Sequence, residues 1–217
     1  MTATRPEPAP IEGRFIRLEP LRRDHLASLY SAIGHKIVFA DGYGGGPAGF
    51  RDNETDFIEW AESYYPWVDG NSYAIFLVGG PHDGQLVGTS TLGEFEPRLE
   101  SAHLGWTAYD PRVWGTAVNA EAKLLILGLA FEHGFGRVKI QADAANSRSR
   151  AAIAKIGATF EGLIRRERPR ADGSWRDTAV FSVIVEEWPE VKAGLEARLD
   201  GYGGRPVLFR SPSLREG

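Results

Sequence analysis

The feature that most constrains this chain is a strand–helix–strand unit built around its longest apolar run. That run is 124–131 (LLILGLAF), eight residues including Gly128. It falls well short of the ~20 apolar residues that cross a bilayer, so it reads as a buried helix, extending over 116–135. Residues 101–109 (SAHLGWTAY) and 137–143 (RVKIQAD) flank it as strands. A strand, a crossover helix and a second strand set two parallel strands side by side, with a right-handed connection. A chain with this unit is a layered α/β protein rather than a bundle or a sandwich.

The rest of the chain adds mostly antiparallel pieces. Residues 13–20 alternate Phe15, Ile16 and Leu18 with Arg14, Arg17 and Glu19, a first strand. A helix over 24–33 puts Leu26, Leu29, Tyr30 and Ile33 on one face. The 41–49 loop (DGYGGGPAG) invites a phosphate-binding reading, but it does not join a strand to a helix start. It reads better as a loop against the substrate site. A helix over 52–65 carries Phe57, Trp60, Ala61 and Tyr64 at helical spacing. These aromatics form core or wall an acceptor pocket. Strands 73–78 and 86–92 flank the turn-rich 79–84 and make a hairpin. Beyond the crossover unit come a helix over 148–156, strands 158–168 and 175–185 joined by Asp172-Gly173, and a closing helix over 188–199. The order is β-α-α-β-β-β-α-β-α-β-β-α, with no internal repeat.

At 217 residues this is one domain, since ~150 residues is the usual domain size. The division expected is a Pro-rich flexible arm over 1–12, the folded domain over 13–200, and an extended tail over 201–217. Net charge is −4, which gives no global attraction to nucleic acid or acidic membranes. There is no cysteine, which removes disulfides, thiolate nucleophiles and cysteine-held metals. The N-terminus has no apolar core, so it is no signal peptide. A cytoplasmic location fits. The five histidines, at 25, 35, 82, 103 and 133, lack metal-ligand spacing, and no metal is expected.

The chemistry sits in 101–162. The strand 101–109 runs into Asp110-Pro111-Arg112-Val113-Trp114-Gly115-Thr116-Ala117, where the long helix starts. Gly115 permits close backbone approach by a ligand. The first helical N–H groups lack intrahelical partners and, with the helix dipole, suit a pyrophosphate. After the second strand comes N-x-x-S-x-x-A-I-x-K-x-G-A-x-x-E-G, from Asn146 to Gly162.

Together with Gly105-Trp106, 119–123 (NAEAK), Arg176-Asp177-Thr178 and Glu187-Trp188-Pro189, this pattern resembles the GNAT superfamily of acyl-CoA-dependent N-acetyltransferases, best its RimJ/RimL-like branch. The resemblance covers about residues 11–200. It implies an α/β (α+β) GNAT fold: a central, mixed, mostly antiparallel sheet splayed between two parallel strands, with helices on both faces. It implies acetyl-CoA as acyl donor and an amine acceptor, either a small molecule or a peptide N-terminus. By the same resemblance Trp106, Thr107, Ala108 and Tyr109 offer backbone groups to pantetheine. Arg112, Val113, Gly115, Thr116, Ala117 and Val118 hold the pyrophosphate, and Asn146 bonds the cofactor arm. Arg150, with Arg148, reaches the CoA phosphates. Ala117 departs from the glycine often found in this turn. Family members are monomers or homodimers.

The reaction implied is attack of an amine on the thioester in a ternary complex. Many relatives use a tyrosine after the asparagine as acid, and here the only tyrosine after Asn146 is Tyr202. Ser149 matches a serine that the RimL-like branch carries near the CoA sulfur, and helix capping is the other reading. For the base, His103 lies on the splayed strand and an unperturbed imidazole titrates near 6.5. Glu167 and Glu94 are alternatives. Arg165, Arg166, Arg168 and Arg170 form a basic run, either a solvated strand face or a contact to an acidic acceptor. A catalytically idle acyl-CoA-binding module on the same fold is the competing function, and the missing tyrosine is its support. A dinucleotide fold fails because no G-x-G-x-x-G follows a strand.

Overall fold

The computed structural model describes residues 2–211. Its strands are β1 (Ile11–Glu12), β2 (Ile16–Pro20), β3 (Asn71–Leu77), β4 (Leu86–Glu96), β5 (Ser101–Tyr109), β6 (Arg137–Asp143), β7 (Thr159–Pro169) and β8 (Trp175–Ile184). Its helices are α1 (Leu26–Ile33), α2 (Lys36–Phe39), α3 (Glu54–Tyr64), α4 (Ala117–Glu132), α5 (Ser147–Ala154) and α6 (Trp188–Asp200). All eight strands form one sheet in the order β1-β2-β3-β4-β5-β6-β8-β7. Every neighbouring pair is antiparallel except β5 and β6, which α4 connects.

Strand alternation gives the sheet two apolar faces. On β3, Tyr73, Ile75 and Leu77 join the larger core with α4 and α6, while Ala74 and Phe76 join the one under α1–α3. The expected mixed sheet with helices on both faces is therefore the fold observed. Helix α4 is buried on most of its surface, including Glu121 at 3% exposure. That carboxylate accepts the backbone N–H groups of Arg14, Phe15 and Ile16 at 2.7–2.8 Å. It satisfies three donors that the irregular start of β2 would otherwise leave unpaired.

Sequence reading places most elements within a few residues, but α2 falls in a stretch to which it assigns no element. The 41–49 loop contains two short 3-10 turns, Tyr43–Gly45 and Pro47–Gly49. The flanks read as an arm and a tail both touch the body. Ala3 and Val207 belong to the larger core, and Arg5 donates to Asn71, Val68 and Gly70. The last six positions of the tail, 212–217, lie outside the described residues. Among the described residues no helix is long and apolar enough to cross a membrane.

Candidate functional site

The site begins with a defect in β5. Strands β5 and β6 pair only over Ser101–Leu104 and Arg137–Ile140. From Gly105 to Ala108 β5 advances three residues while β4 advances two, Thr91 to Thr89, so β5 carries a bulge. Trp106 takes φ +47° there, a left-handed backbone that is costly for a bulky residue. One extra residue flips the faces of the strand. Ala102 and Leu104 pack toward α4, but Trp106 and Ala108 pack toward α1–α3. Gly105 is needed for another reason: a Cβ there would lie 2.9 Å from the His103 ring.

Past the bulge, β5 stays with β4 and β6 stays with β8, and the two parallel strands part. A cavity of about 470 Å³ occupies the gap. Leu104–Tyr109 and Ile140–Asp143 form its sides, and the turn at Val113–Thr116 closes one end. Gly115 holds φ +72° in that turn. Thr116 caps α4, its Oγ1 accepting the Val118 N–H at 3.4 Å. Arg198 of α6 lines the same cavity, and a Cβ on Gly115 would meet the Arg210 guanidinium at 3.3 Å. A glycine turn at a helix start, two nearby arginines and a cleft with unpaired strand edges match the needs of a pyrophosphate on a pantetheine arm. Three of the lining side chains, Asp41, Trp114 and Arg148, are joined to one another. Arg148 stacks on Trp114 at 3.9 Å and pairs with Asp41 at 3.0 Å.

A smaller cavity of about 180 Å³ adjoins the first. Gly42, Tyr64, Gly105, Trp106, Gln141, Asp143 and Arg176 line both. His103 lines only the smaller one. Its Nδ1 lies 3.1 Å from Glu94 Oε1, without the alignment of a hydrogen bond, and neither ring nitrogen has a hydrogen-bond partner. Burial holds His103 below the usual imidazole range although Glu94 pulls the other way. His103 and Lys139 together hold Glu94 at about 2. Burial raises Tyr64 to about 12, so its hydroxyl keeps its proton.

Of the residues singled out in the sequence, Trp106, Thr107, Ala108, Tyr109, Val113, Gly115, Thr116, Asn146 and Ser149 line the large cavity. Ala117 and Val118 are buried in the first turn of α4. Asn146 is the cap of α5, accepting the Ser149 N–H at 2.7 Å. The Ser149 hydroxyl has no partner among the described residues. Three placements differ from expectation. Arg112 is not among the residues lining the cavity, and the fully buried Asp110 carboxylate holds it bidentately at 2.6–3.0 Å. Arg150 turns to the Ala144 carbonyl and the Phe160 ring. Glu167 lines neither cavity. It accepts from Thr178 and pairs with Arg168. Burial pushes its pKa up, but these contacts outweigh that and leave it lowered.

Sequence reasoning gave no role to Lys123 or Arg176. Lys123 is buried on α4 and lines the large cavity. It donates to Thr107 at 2.8 Å and Ser90 at 3.3 Å, with no carboxylate partner, and burial lowers it to about 7. A lysine directly before an apolar helical run was the available signal. Among the described residues no group of three or more acidic or histidine side chains could hold a metal ion.

The model of the acetyltransferase (GNAT) domain matches residues 16–159. A structure from T. thermophilus, described provisionally as an acetyltransferase, is 34% identical, with a TM-score of 0.79, over 90% of this chain and all of that one. A GCN5-related N-acetyltransferase from Brucella melitensis is 25% identical, with a TM-score of 0.82, over 96% of this chain and 95% of that one. RimJ of Mycobacterium smegmatis, solved in complex with CoA-disulfide, shares the fold at 23% identity and TM-score 0.65, over 84% and 88% of the two chains. A search of curated proteins gives no match. The splayed parallel strands, the glycine turn at the start of α4 and these matches together place the chain in the GNAT acetyltransferase family.

Proposed function

We propose that the chain moves an acetyl group from acetyl-CoA to a primary amine by direct attack in a ternary complex. The observation that carries the reading is the gap between β5 and β6, which ends at the Gly115 turn. Strand edges from Trp106 to Tyr109 offer backbone groups to the pantetheine amides. The Gly115–Thr116 turn and the start of α4 receive the pyrophosphate, with Arg198 and Arg210 supplying positive charge in place of Arg112. Backbone N–H groups beside the bulge are the candidates for stabilising the developing oxyanion.

The acceptor enters from the smaller cavity. His103, its Nε2 without a hydrogen-bond partner and its Nδ1 against Glu94, takes the proton that the attacking nitrogen loses. The new N–C bond forms first and puts negative charge on the carbonyl oxygen, and the C–S bond then breaks as Ser149 hydrogen-bonds to the departing sulfur.

Calorimetric titration with acetyl-CoA, desulfo-CoA and NADH tests the reading. Binding of the two CoA compounds and not of NADH is expected. Absence of acetyl-CoA binding would sink it. CoA binding without turnover on any amine would mark the chain as an idle acyl-CoA-binding module instead.

A further inference from the structure

Among the described residues Arg176 is the one guanidinium that lines both cavities, and nothing in the acetyl-transfer chemistry above uses it. Its Nε is buried without a hydrogen-bond partner. Among the described residues its guanidinium makes no salt bridge and no hydrogen bond. Leaving a buried charged donor unpaired is expensive, so a missing acceptor is the natural explanation. Its neighbours supply none. The Asp143 carboxylate is held by Arg170 through three contacts of 2.8–3.0 Å, and it also accepts the Ala145 N–H at 3.0 Å. Glu167 is held by Arg168 at 3.2 Å and by Thr178. Three arginines therefore face two carboxylates, and the surplus is a single positive charge. Arg168 stands opposite Arg176 across the β7–β8 ladder, which deepens the positive field.

The smaller cavity also has the dimensions of a small ligand. At about 180 Å³ it is below the ~300–1,000 Å³ of drug-sized sites. The Ala171 N–H bonds the Gly45 carbonyl at 3.2 Å, so the β7–β8 hairpin is joined to the 41–49 loop on that side. This junction favours a small molecule over an extended peptide. We infer that the acceptor is a small primary amine bearing a carboxylate, an amino acid or a compound of that class, with the carboxylate on Arg176 and the amine toward His103. The inference rests on the acetyltransferase reading and names its substrate class.

The test is a panel of α-amino acids, β-alanine and γ-aminobutyrate, each beside its carboxamide, with N-terminal tetrapeptides as a third arm. Thiol release from acetyl-CoA is followed by disulfide exchange, which the cysteine-free chain does not disturb. At least one free acid should exceed its amide by about 30-fold or more in kcat/KM, as loss of a charge-assisted bidentate contact implies. Arg176→Gln should erase that preference by raising KM for the free acids, and Arg176→Lys should restore part of it. Arg168→Gln, at a more exposed position, should weaken it less and guards against misfolding of the first variant. Acetyl-CoA affinity is measured on every variant. Equal use of acids and amides, turnover confined to tetrapeptides, or no turnover despite acetyl-CoA binding would each overturn the inference while leaving the cofactor site standing. Loss of acetyl-CoA binding by the unsubstituted protein would overturn both.

Discussion

The two cavities share a wall but are built from different materials. The larger is shaped by main chain: the edges of β5 and β6 past their last paired residues, a glycine turn and the start of α4. The smaller is lined by ionisable side chains from distant segments, with His103 from β5, Arg168 from β7 and Arg176 from β8. Backbone cradles tolerate change in the side chains around them and recognise a constant ligand. A cavity defined by side chains is re-cut by single substitutions. The proposed function puts the shared substrate of the family in one chamber and the individual substrate in the other.

Substitutions that act in one chamber and spare the other sharpen the contrast. The largest effect is expected from Gly115→Trp. It forces a bulky side chain into a left-handed backbone and against Arg210, and should weaken acetyl-CoA binding about 1,000-fold by calorimetry. Unchanged affinity would break the comparison at its base. His103→Ala comes next, with a loss of about 100-fold in kcat/KM at mildly acidic pH. The wild-type acid limb should follow the lowered imidazole pKa. Without that base it should move up toward the amine's own value, about 7.7–8.0 for an α-amine. An identical pH–rate profile in the variant would remove His103 from the reaction.

Ser149→Ala should lower kcat about 10-fold, the low end of what one catalytic hydrogen bond contributes, with acetyl-CoA affinity unaltered. Equal turnover would leave Ser149 a cavity-lining residue and nothing more. The last effect is on stability rather than on activity. Lys123 falls from 10.5 to about 7 on folding, so between those values the unfolded chain binds a proton that the native one does not. Stability should then rise with pH across that window, by at most ~1.4 kcal/mol per unit. Lys123→Met should flatten that rise when denaturant midpoints are compared between pH 7 and 9.

What the sequence disclosed follows the same division. Periodicity and turn residues are local, so nearly every element and the whole glycine turn could be read in advance. The bulge could not. In HLGWTAY the obvious place for a left-handed residue is Gly105, yet Trp106 takes it, and Gly105 is required by the ring two positions before it. Partner choice among arginines was equally hidden. Arg112 sits in the motif but belongs to Asp110, whereas Arg198 lines the cavity and Arg210 approaches the turn from segments that no spacing rule connects to them. Arg176 was visible as part of a pattern. Its lack of a partner depends on Asp143 and Glu167 having been claimed by other arginines, a fact of tertiary structure alone.

The tail has a consequence of its own. The Arg210 N–H bonds the Arg112 carbonyl at 2.9 Å, and Phe209 lies against the Arg112 guanidinium at 4.0 Å and stacks on His82 at 3.9 Å. Residues 209–210 thus form a strap fastened to the same turn that is proposed to receive the phosphate end of the ligand. Linkage between two events on one turn is reciprocal. A filled turn should shield the strap from proteases and slow its amide exchange. Clipping the strap should in turn speed the ligand's departure, making this short stretch of chain a clock for how long the donor stays bound.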